Sequence, residues 1–308
     1  MAILYFIVGP TAVGKTALSV PWAELNNAEI LSCDSLLLYR GMDIGTAKPS
    51  AFEQSQIVHH GIDQVSINTR YSVYDYLHLS QKVVSDIHNR GLNVVIVGGS
   101  GFYLKSFFYP VVDTVDTPQH IRSQVDELYA EKGRDGLLEE LFKCNPDGTG
   151  KLAIENPRRV INALQRCLAS GKTLNQLNSE FAQLRSPFYK FERRVCFLRR
   201  SRDDLLQRTR RRVKNMIEDG LIDEVKQLLK QGIDGNLSAA SAIGYRETID
   251  YLKNGGGRTK LEEDIIQNTQ GLIKKQLTWF KKQIPIDQTL YLQPHEKGNP
   301  KQVFTNGP

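Results

Sequence analysis

Short runs of apolar residues alternate with amphipathic segments along the first 110 residues of the chain. The runs at residues 3–8, 29–33 and 94–97 are brief and rich in aliphatic side chains, which is typical of strands buried inside a sheet. Between the last two runs, residues 73–89 repeat their apolar positions at helical spacing. Similar short runs follow at residues 195–198 and 290–292. The alternation predicts an α/β fold, in which helices flank a parallel sheet.

The pattern changes from residue 118 to about residue 181, where short helical segments follow one another without strands. Asn156 followed by Pro157 is a favourable helix start, and Gly171 is a favourable helix end. We therefore expect an all-helical insertion domain over residues 116–189. The α/β core then comprises residues 1–115 and 190–308.

Two long basic helices are predicted in the later part of the core, over residues 203–230 and 262–283. Each places apolar side chains on one face and Arg or Lys side chains on another. Residues 293–308 are mostly polar and are predicted to form a tail.

A glycine-rich segment lies between the first predicted strand and the first predicted helix. It fits G-x-x-x-x-G-K-[ST], the phosphate-binding loop, and this position is the one that the loop requires. Its N–H groups and the helix N-terminus attract phosphate, Lys15 adds a full charge, and the Thr16 hydroxyl is a candidate Mg²⁺ ligand. We therefore expect a P-loop NTPase-like sheet whose anion site consists of Gly9, Pro10, Thr11, Ala12, Val13, Gly14, Lys15 and Thr16.

Two other strand ends bear on the chemistry. Asp34 follows the second predicted strand, and ligands of open α/β sheets bind at such ends, so we expect Asp34 near the phosphate loop. The strand at 94–97 is followed by Gly98 and Gly99, where a nucleotide-hydrolysing P-loop protein carries an acid that holds Mg²⁺. The missing acid argues against an ATPase motor.

Positive charge is concentrated in the later part of the chain. Residues 1–110 carry seven Lys and Arg against eight Asp and Glu, whereas residues 111–308 carry 33 against 26. Ten of these cations lie within residues 193–214. Such a patch is typical of proteins that bind a polyanion, and a solvated helix face is the alternative interpretation.

The remaining composition favours a cytoplasmic protein without a membrane partner. The first apolar run is too short for a signal peptide, and no run approaches the ~18 residues of a membrane-spanning helix. Four cysteines occur without a C-x-x-C pair, which favours reduced thiols over disulfides or a zinc site. Nothing in the pattern indicates an obligate dimer, so we expect a monomer.

Six segments occur in an order that is typical of one enzyme family. They are G-P-T-A-V-G-K-T at 9–16, D-S-L-L-L-Y-R-G-M-D-I-G-T-A-K-P at 34–49, H-H-G-I-D at 59–63, V-G-G-S-G-F-Y at 97–103, A-I-G-Y at 242–245 and K-K-Q-L-T-W-F at 274–280. Together they resemble the tRNA dimethylallyltransferases, also called tRNA isopentenyltransferases, over about residues 3–284. Ser100 and Gly61 depart from the family pattern, which has Thr and usually Leu there. The zinc extension of eukaryotic members is absent, so the chain resembles the bacterial form.

The resemblance implies two substrates, dimethylallyl diphosphate and the adenosine at position 37 of certain tRNAs, next to the anticodon. It implies that the dimethylallyl group moves to the exocyclic N6 amine of that adenosine and that diphosphate is released. In this scheme Asp34 is the base that takes the amine proton, and Thr11 helps to position the reacting groups.

The resemblance also assigns the groups that stabilise the departing diphosphate. Lys15, Thr16 with Mg²⁺, and Arg212 are expected to do so. Arg208, one helical turn before Arg212, is an alternative for the arginine, because several cations crowd that turn.

A larger set of positions matches those that contact tRNA in the family. The tRNA anticodon stem-loop is the expected partner, and its target base has to leave the stack to reach a buried diphosphate. The matching residues are Asp34, Ser35, Leu36, Leu37, Ser100, Arg122, Arg158, Arg159, Val160, Ile161, Asn162, Ala240, Ser241, Ala242, Ile243, Gly244, Tyr245, Lys274, Lys275, Gln276, Leu277, Thr278, Trp279, Phe280 and Lys281.

Three other functions are alternatives to this one. A small-molecule kinase is compatible with the first 110 residues, but the later excess of cations and the segment at 34–49 argue against it. A diphosphate-dependent transferase that acts on free adenine nucleotides would need less basic surface. A GTPase-like RNA-binding module would carry N-K-x-D, which the chain lacks.

Overall fold

The computed structural model describes residues 2–113 and 115–304. The chain forms two compact units, Met1–Tyr109 with Pro187–Pro308, and Pro110–Ser186. Met1, Thr114 and residues 305–308, which the predicted domains and the predicted tail include, lie outside the described residues.

The first unit contains a six-stranded sheet in which every pair of neighbouring strands is parallel. The spatial order is β3-β2-β4-β1-β5-β6. The strands are β1 (Ile3–Val8), β2 (Ala28–Cys33), β3 (His59–His60), β4 (Asn93–Gly98), β5 (Glu192–Arg199) and β6 (Gln288–Tyr291). The predicted parallel P-loop-type sheet is therefore confirmed.

Helices cover the sheet and form the second unit. In the first unit before the insertion they are α1 (Lys15–Leu25), α2 (Ala51–Gln56), α3 (Val73–Asn89) and α4 (Gly101–Ser106). The second unit holds α5 (Gln119–Cys144), α6 (Pro157–Ser170) and α7 (Leu174–Gln183). The first unit resumes with α8 (Arg202–Glu218), α9 (Leu221–Lys230), α10 (Leu237–Ala240), α11 (Tyr245–Asn254) and α12 (Arg258–Gln283).

Local sequence signals account for the ends of several helices. Ser72 caps α3, since its hydroxyl accepts the Asp75 N–H and the Asp75 carboxylate accepts the Ser72 N–H. Asn156 caps α6, with Pro157 in the first turn and Gly171 in a left-handed conformation at the end. The cap pattern therefore predicted both ends of α6.

One prediction for the later chain was wrong. The helix expected over residues 203–230 is two helices, because Gly220 adopts φ 102°, which ends α8 and lets the chain turn into α9. The expected tail is mostly exposed over residues 293–302, but its described end is anchored, with Val303 buried and Phe304 against aromatic rings. The Phe304 ring lies 5.1 Å from that of Tyr5 and 5.3 Å from that of Trp22, centroid to centroid.

The sheet faces and the later helices build three apolar cores in the first unit. One core includes Phe6, Ile96 and Phe280, and the second includes Ile7, Trp22 and Leu198. A third core joins the long loop after β2 to α8, α9, α11 and α12. In the second unit, α5, α6 and α7 enclose a separate core.

The topology brings three strand ends together at one edge. The phosphate loop follows β1, Asp34 follows β2, and the glycine turn at 98–101 follows β4, which lies between those two strands. Because parallel strands end on the same side of a sheet, these three segments converge there.

Glu29 on β2 is a nearly buried carboxylate that pairs with the partly exposed Arg90. Arg90 donates to both carboxylate oxygens at 2.5 and 2.7 Å, and His60 Nε2 lies 2.7 Å from one of them. Hydrogen bonding to Arg90 is the main reason that the pKa of Glu29 falls from 4.5 to about 2.

We expect Glu29→Gln to lower the free energy of unfolding at pH 7, because a neutral amide cannot replace the two charge-assisted hydrogen bonds that Arg90 donates to this carboxylate. The native carboxylate is stabilised, so the wild-type advantage is present above pH 4.5 and disappears as the pH falls toward 2. Urea denaturation at several pH values measures this. Asp86→Asn is the control, because Asp86 bonds the same arginine at the exposed surface. Equal losses for both variants would contradict the prediction.

Candidate active site

The phosphate loop is held from outside by cationic side chains. Arg208 Nε donates to the Ala12 carbonyl and Arg200 Nε donates to the Val13 carbonyl, each at 2.7 Å. Lys15 Nζ donates to the carbonyls of Gly9 and Pro10 at 3.1 and 3.0 Å. These contacts direct the loop's carbonyl oxygens toward cations, while the phosphate site of such a loop is made by its N–H groups.

Arg212 joins the loop to the segment after β2. Its Nη1 lies 3.2 Å from Thr11 Oγ1 and its Nη2 donates to the Thr46 carbonyl at 2.9 Å. Burial lowers the pKa of Arg212, and Asp34 opposes that shift. Burial also lowers the pKa of Lys15 from 10.5 to about 8, against the attraction of Asp34. The site thus gathers partly dehydrated cations around one carboxylate, an arrangement that an added anion would stabilise.

Asp34 is oriented by a local turn and neighbouring hydroxyls. Its Oδ1 accepts the Leu36 N–H at 3.0 Å. The adjacent Ser35 N–H donates to Ser100 Oγ, also at 3.0 Å. The carboxylate therefore sits on a segment that is fixed to the glycine turn after β4.

Gln276 on α12 links the phosphate loop to that same glycine turn. The Thr11 N–H donates to its Oε1 at 2.9 Å, and its Nε2 donates to the Gly99 carbonyl at 3.1 Å. The turn allows no side chain where the strand ends, because a Cβ on Gly98 would lie 2.0 Å from the Cys33 carbonyl oxygen. The position that carries an acid in nucleotide hydrolases is thus filled by backbone.

A carboxylate on α9 anchors the loop that carries Thr46. Glu224 accepts the N–H groups of Asp43, Ile44 and Gly45 at 2.7 to 3.2 Å, and it accepts the Tyr245 hydroxyl at 2.7 Å. Nothing in the sequence pattern identified Glu224, because it sits among the ordinary charges of an amphipathic helix. Thr46 follows the anchored residues directly, and its carbonyl accepts a hydrogen bond from Arg212. Glu224 therefore also positions this acceptor.

Two cavities meet at these residues. A mainly apolar one of about 640 Å³ extends toward Phe102, Ile243 and Trp279. A polar one of about 980 Å³ extends along Lys15, Thr16 and Lys48. Both are lined by the same seven residues at their junction, namely Thr11, Asp34, Thr46, Gly99, Arg212, Met216 and Gln276.

The polar cavity also holds both arginines that the sequence left as alternatives. Arg208 lines only the polar cavity, whereas Arg212 lines both cavities. Of the predicted anion loop, Thr11, Ala12, Gly14, Lys15 and Thr16 line this cavity, whereas Gly9, Pro10 and Val13 are buried behind it.

Most of the expected tRNA-contact residues in the first unit surround the cavities. Leu37 lines the polar cavity, and the apolar cavity is lined by Ser35, Leu36, Ser100, Ser241, Ala242, Ile243, Gly244, Lys275, Gln276 and Trp279. Lys274, Thr278 and Lys281 are exposed on α12, and Ala240 and Leu277 are half-buried. In the second unit, Arg122, Arg158, Arg159 and Asn162 are exposed and Ile161 is half-buried.

Three of the expected contact residues are corrected by the structure. Val160, Tyr245 and Phe280 are each fully buried in an apolar core. Their side chains hold the surrounding helices in place and do not face an RNA strand. The motif match identified these positions, but it could not separate side chains that pack from side chains that bind.

The chain was compared with known proteins. The model of the family described as IPP transferase matches residues 37–283. The tRNA dimethylallyltransferase of Opitutus terrae is 46% identical over 282 residues, which are 92% of this chain and 91% of that protein. The crystal structure of the Bacillus halodurans tRNA isopentenylpyrophosphate transferase has 34% identity and a TM-score of 0.67, covering 95% of this chain and 90% of that one.

A more distant structure shows the same fold. It is a eukaryotic dimethylallyltransferase acting on tRNA, 24% identical, with a TM-score of 0.81, covering 99% of this chain and 77% of that one. Fold and site together define a P-loop protein that handles a phosphate-bearing ligand without the hydrolytic acid. The chain belongs to the IPP transferase family.

The depressed pKa of Lys15 predicts a pH dependence of anion binding. Above about pH 8 the free protein loses the Lys15 proton, so its affinity for inorganic diphosphate should fall about tenfold between pH 7 and pH 9. Isothermal titration calorimetry measures this against Lys15→Arg, whose charge persists over that range. Ionisation of the ligand is common to both proteins, so parallel pH curves would contradict the prediction.

Proposed function

We propose that this protein is a tRNA dimethylallyltransferase. It transfers the dimethylallyl group of dimethylallyl diphosphate to the exocyclic N6 amine of adenosine 37 in tRNA and releases diphosphate. The observation that carries the proposal is the position of Asp34, which lies where a polar cavity with a phosphate loop meets an apolar cavity. Membership of the IPP transferase family supports it.

The reaction needs an anion site, a base and an aligned amine at one point. The N6 lone pair forms the new bond to C1 of the dimethylallyl group, and the electrons of the breaking C1–O bond leave with the diphosphate oxygen. Asp34 accepts the proton that N6 releases. Because the base, the amine and C1 are held together, a correctly placed carboxylate is sufficient to take the proton.

The cations of the polar cavity stabilise charge as it develops on the leaving diphosphate. Lys15 and Arg212 are already in place, and Thr11 is hydrogen-bonded to Arg212, so little reorganisation is required during the reaction. Among the described residues, Arg212 is favoured over Arg208 for this role, because Arg212 lines the junction and Arg208 Nε is bonded to the loop itself.

The residues of the polar cavity suit a diphosphate-bound Mg²⁺. The Thr16 hydroxyl and the Asp34 carboxylate line this cavity, and Mg²⁺ commonly takes one or two protein oxygens beside phosphate oxygens and waters. Within residues 2–113 and 115–304, no cluster of three His, Cys, Asp or Glu side chains could hold a metal ion. Thr16 would therefore add a protein oxygen to a Mg²⁺ ion that is bound mainly by the diphosphate of the substrate. The ion would neutralise charge on that diphosphate.

The apolar cavity provides the path for the adenine of the tRNA anticodon stem-loop. Its outer wall combines Phe102, which is 59% exposed, with Trp279 and the exposed Lys275. Exposed aromatic and cationic side chains suit unstacked bases and the phosphates that follow them. The exposed arginines of the second unit, Arg122, Arg158 and Arg159, would contribute phosphate contacts.

This function also bears on the protein's assembly and surroundings. We propose that the monomer is active, since the phosphate loop, Asp34 and Arg212 of one chain already meet at one junction. Among the described helices, none combines the length and the apolar composition needed to cross a bilayer. Because its substrate tRNA is a cytoplasmic molecule, we propose that the enzyme works in the cytoplasm.

A transfer assay tests the function directly. Purified protein is incubated with unmodified tRNA and labelled dimethylallyl diphosphate, without ATP or GTP. Label on the adenosine next to the anticodon is the expected result. If no label is transferred, but added ATP gives ADP with a small hydroxylated metabolite, the protein is a kinase and the proposal is wrong.

Replacement of Asp34 tests its role as the base. Asp34→Asn keeps an oxygen that can accept the Leu36 N–H, but it cannot take the proton, so single-turnover transfer should slow by at least ~100-fold while tRNA affinity stays within about twofold. Rapid-quench kinetics and filter binding measure the two quantities. Asp223→Asn, which removes an exposed carboxylate that lines neither cavity, is the control. Weak tRNA binding with normal single-turnover chemistry would refute the assignment.

A further inference from the structure

Met216 has an unusual position among the residues that the two cavities share. Of the seven, it is the only one with an apolar side chain, since Gly99 has none and the other five are polar. It is 7% exposed and its remaining contacts lie in the core around α8. In the sequence, Met216 is one of the apolar residues of an amphipathic helix.

Along the face of α8 that borders this site, the side chains change from cationic to apolar. Arg208, Arg212 and Met216 follow each other at intervals of four residues, so they lie on one stripe of the helix, about 6 Å apart along its axis. Arg208 lines only the polar cavity, whereas Arg212 and Met216 line both cavities. The stripe therefore runs from the anion site to the point where apolar surface begins.

The substrate's geometry places its hydrocarbon at the same point. This step rests on the proposed function: with diphosphate in the polar cavity, C1 has to lie between the diphosphate oxygen and the attacking N6, beside Asp34. The branched tail attached to C1 then needs apolar surface at the junction. Met216 is the side chain that offers it.

We propose that Met216 forms the wall of the prenyl subsite and determines the length of the isoprenoid that the enzyme accepts. The thioether contacts the five-carbon tail of dimethylallyl diphosphate. A ten-carbon tail has to displace this side chain, which is held in a packed core. Selection in an apolar site typically amounts to 10- to about 200-fold per methylene, so one buried side chain can exclude the longer donor.

Donor selectivity is the measurement that tests the proposal. Transfer to tRNA is followed with dimethylallyl diphosphate and with geranyl diphosphate, and the ratio of the two kcat/KM values is the readout. We expect Met216→Ala to lower this ratio at least ~10-fold relative to wild type. The matched control is Ile217→Ala, which removes an equally buried neighbour on α8 that lines neither cavity, and it should leave the ratio unchanged. An unchanged ratio in Met216→Ala, or an equal fall in Ile217→Ala, overturns the proposal.

A second variant covers the case in which Met216→Ala does not fold. Met216→Phe adds bulk at the junction, so binding of dimethylallyl diphosphate should weaken about tenfold while binding of inorganic diphosphate is unchanged. Calorimetry without tRNA measures both ligands. Equal loss for both ligands, or loss for neither, overturns the proposal. These outcomes differ from failure of the proposed function, in which the wild-type protein would not transfer the dimethylallyl group at all.

Discussion

The site depends on the contacts between the phosphate loop and three arginines, one just after β5 and two on α8. Arg200, Arg208 and Arg212 reach the loop from positions 187 to 201 residues later in the chain. Hydrogen bonds that involve a charged donor each contribute about 1.5–3 kcal/mol, so together they hold the loop strongly. The loop is therefore preorganised by its outer carbonyls, and its inner surface is left for an anion. The same helix that fixes the loop also supplies Arg212, which lines both cavities.

The later chain supports this arrangement from a second direction. Arg200 Nη1 donates to the Gln293 carbonyl at 2.7 Å, Nη2 donates to the Glu296 carbonyl, and Asp204 pairs with the guanidinium at 2.8 Å. Each nitrogen of the buried guanidinium therefore has a hydrogen-bond partner, which is the condition under which a buried charge is tolerated. A segment that looks like a polar tail in the sequence is in fact part of the support of the phosphate loop.

The two cavities divide the chemistry by polarity. Charged side chains line the polar cavity beside the phosphate loop. Apolar surface lines the other cavity, where an unstacked base would enter. Asp34, Arg212 and Met216 lie where the two meet, so a proton acceptor, a cation and a hydrocarbon contact share one location. A transfer between a diphosphate and a nucleobase needs these three contacts at one carbon atom.

Much of this could be predicted from the sequence, and the physical reason is that the signals are local. Strands β1, β2 and β4, the helix α3, the caps of α6 and the phosphate loop each depend on residues close together in the chain. Asp34 was predicted near the loop because parallel strands end at the same edge. What only the tertiary structure decided are the contacts between distant segments. They are the hydrogen bonds from the arginines to the loop, the Glu224 anchor, the contacts of Gln293, Glu296 and Phe304, the burial of Val160, Tyr245 and Phe280, and the place of Met216. Their side chains look ordinary in the sequence, since their partners lie tens to hundreds of residues away and only packing brings them together.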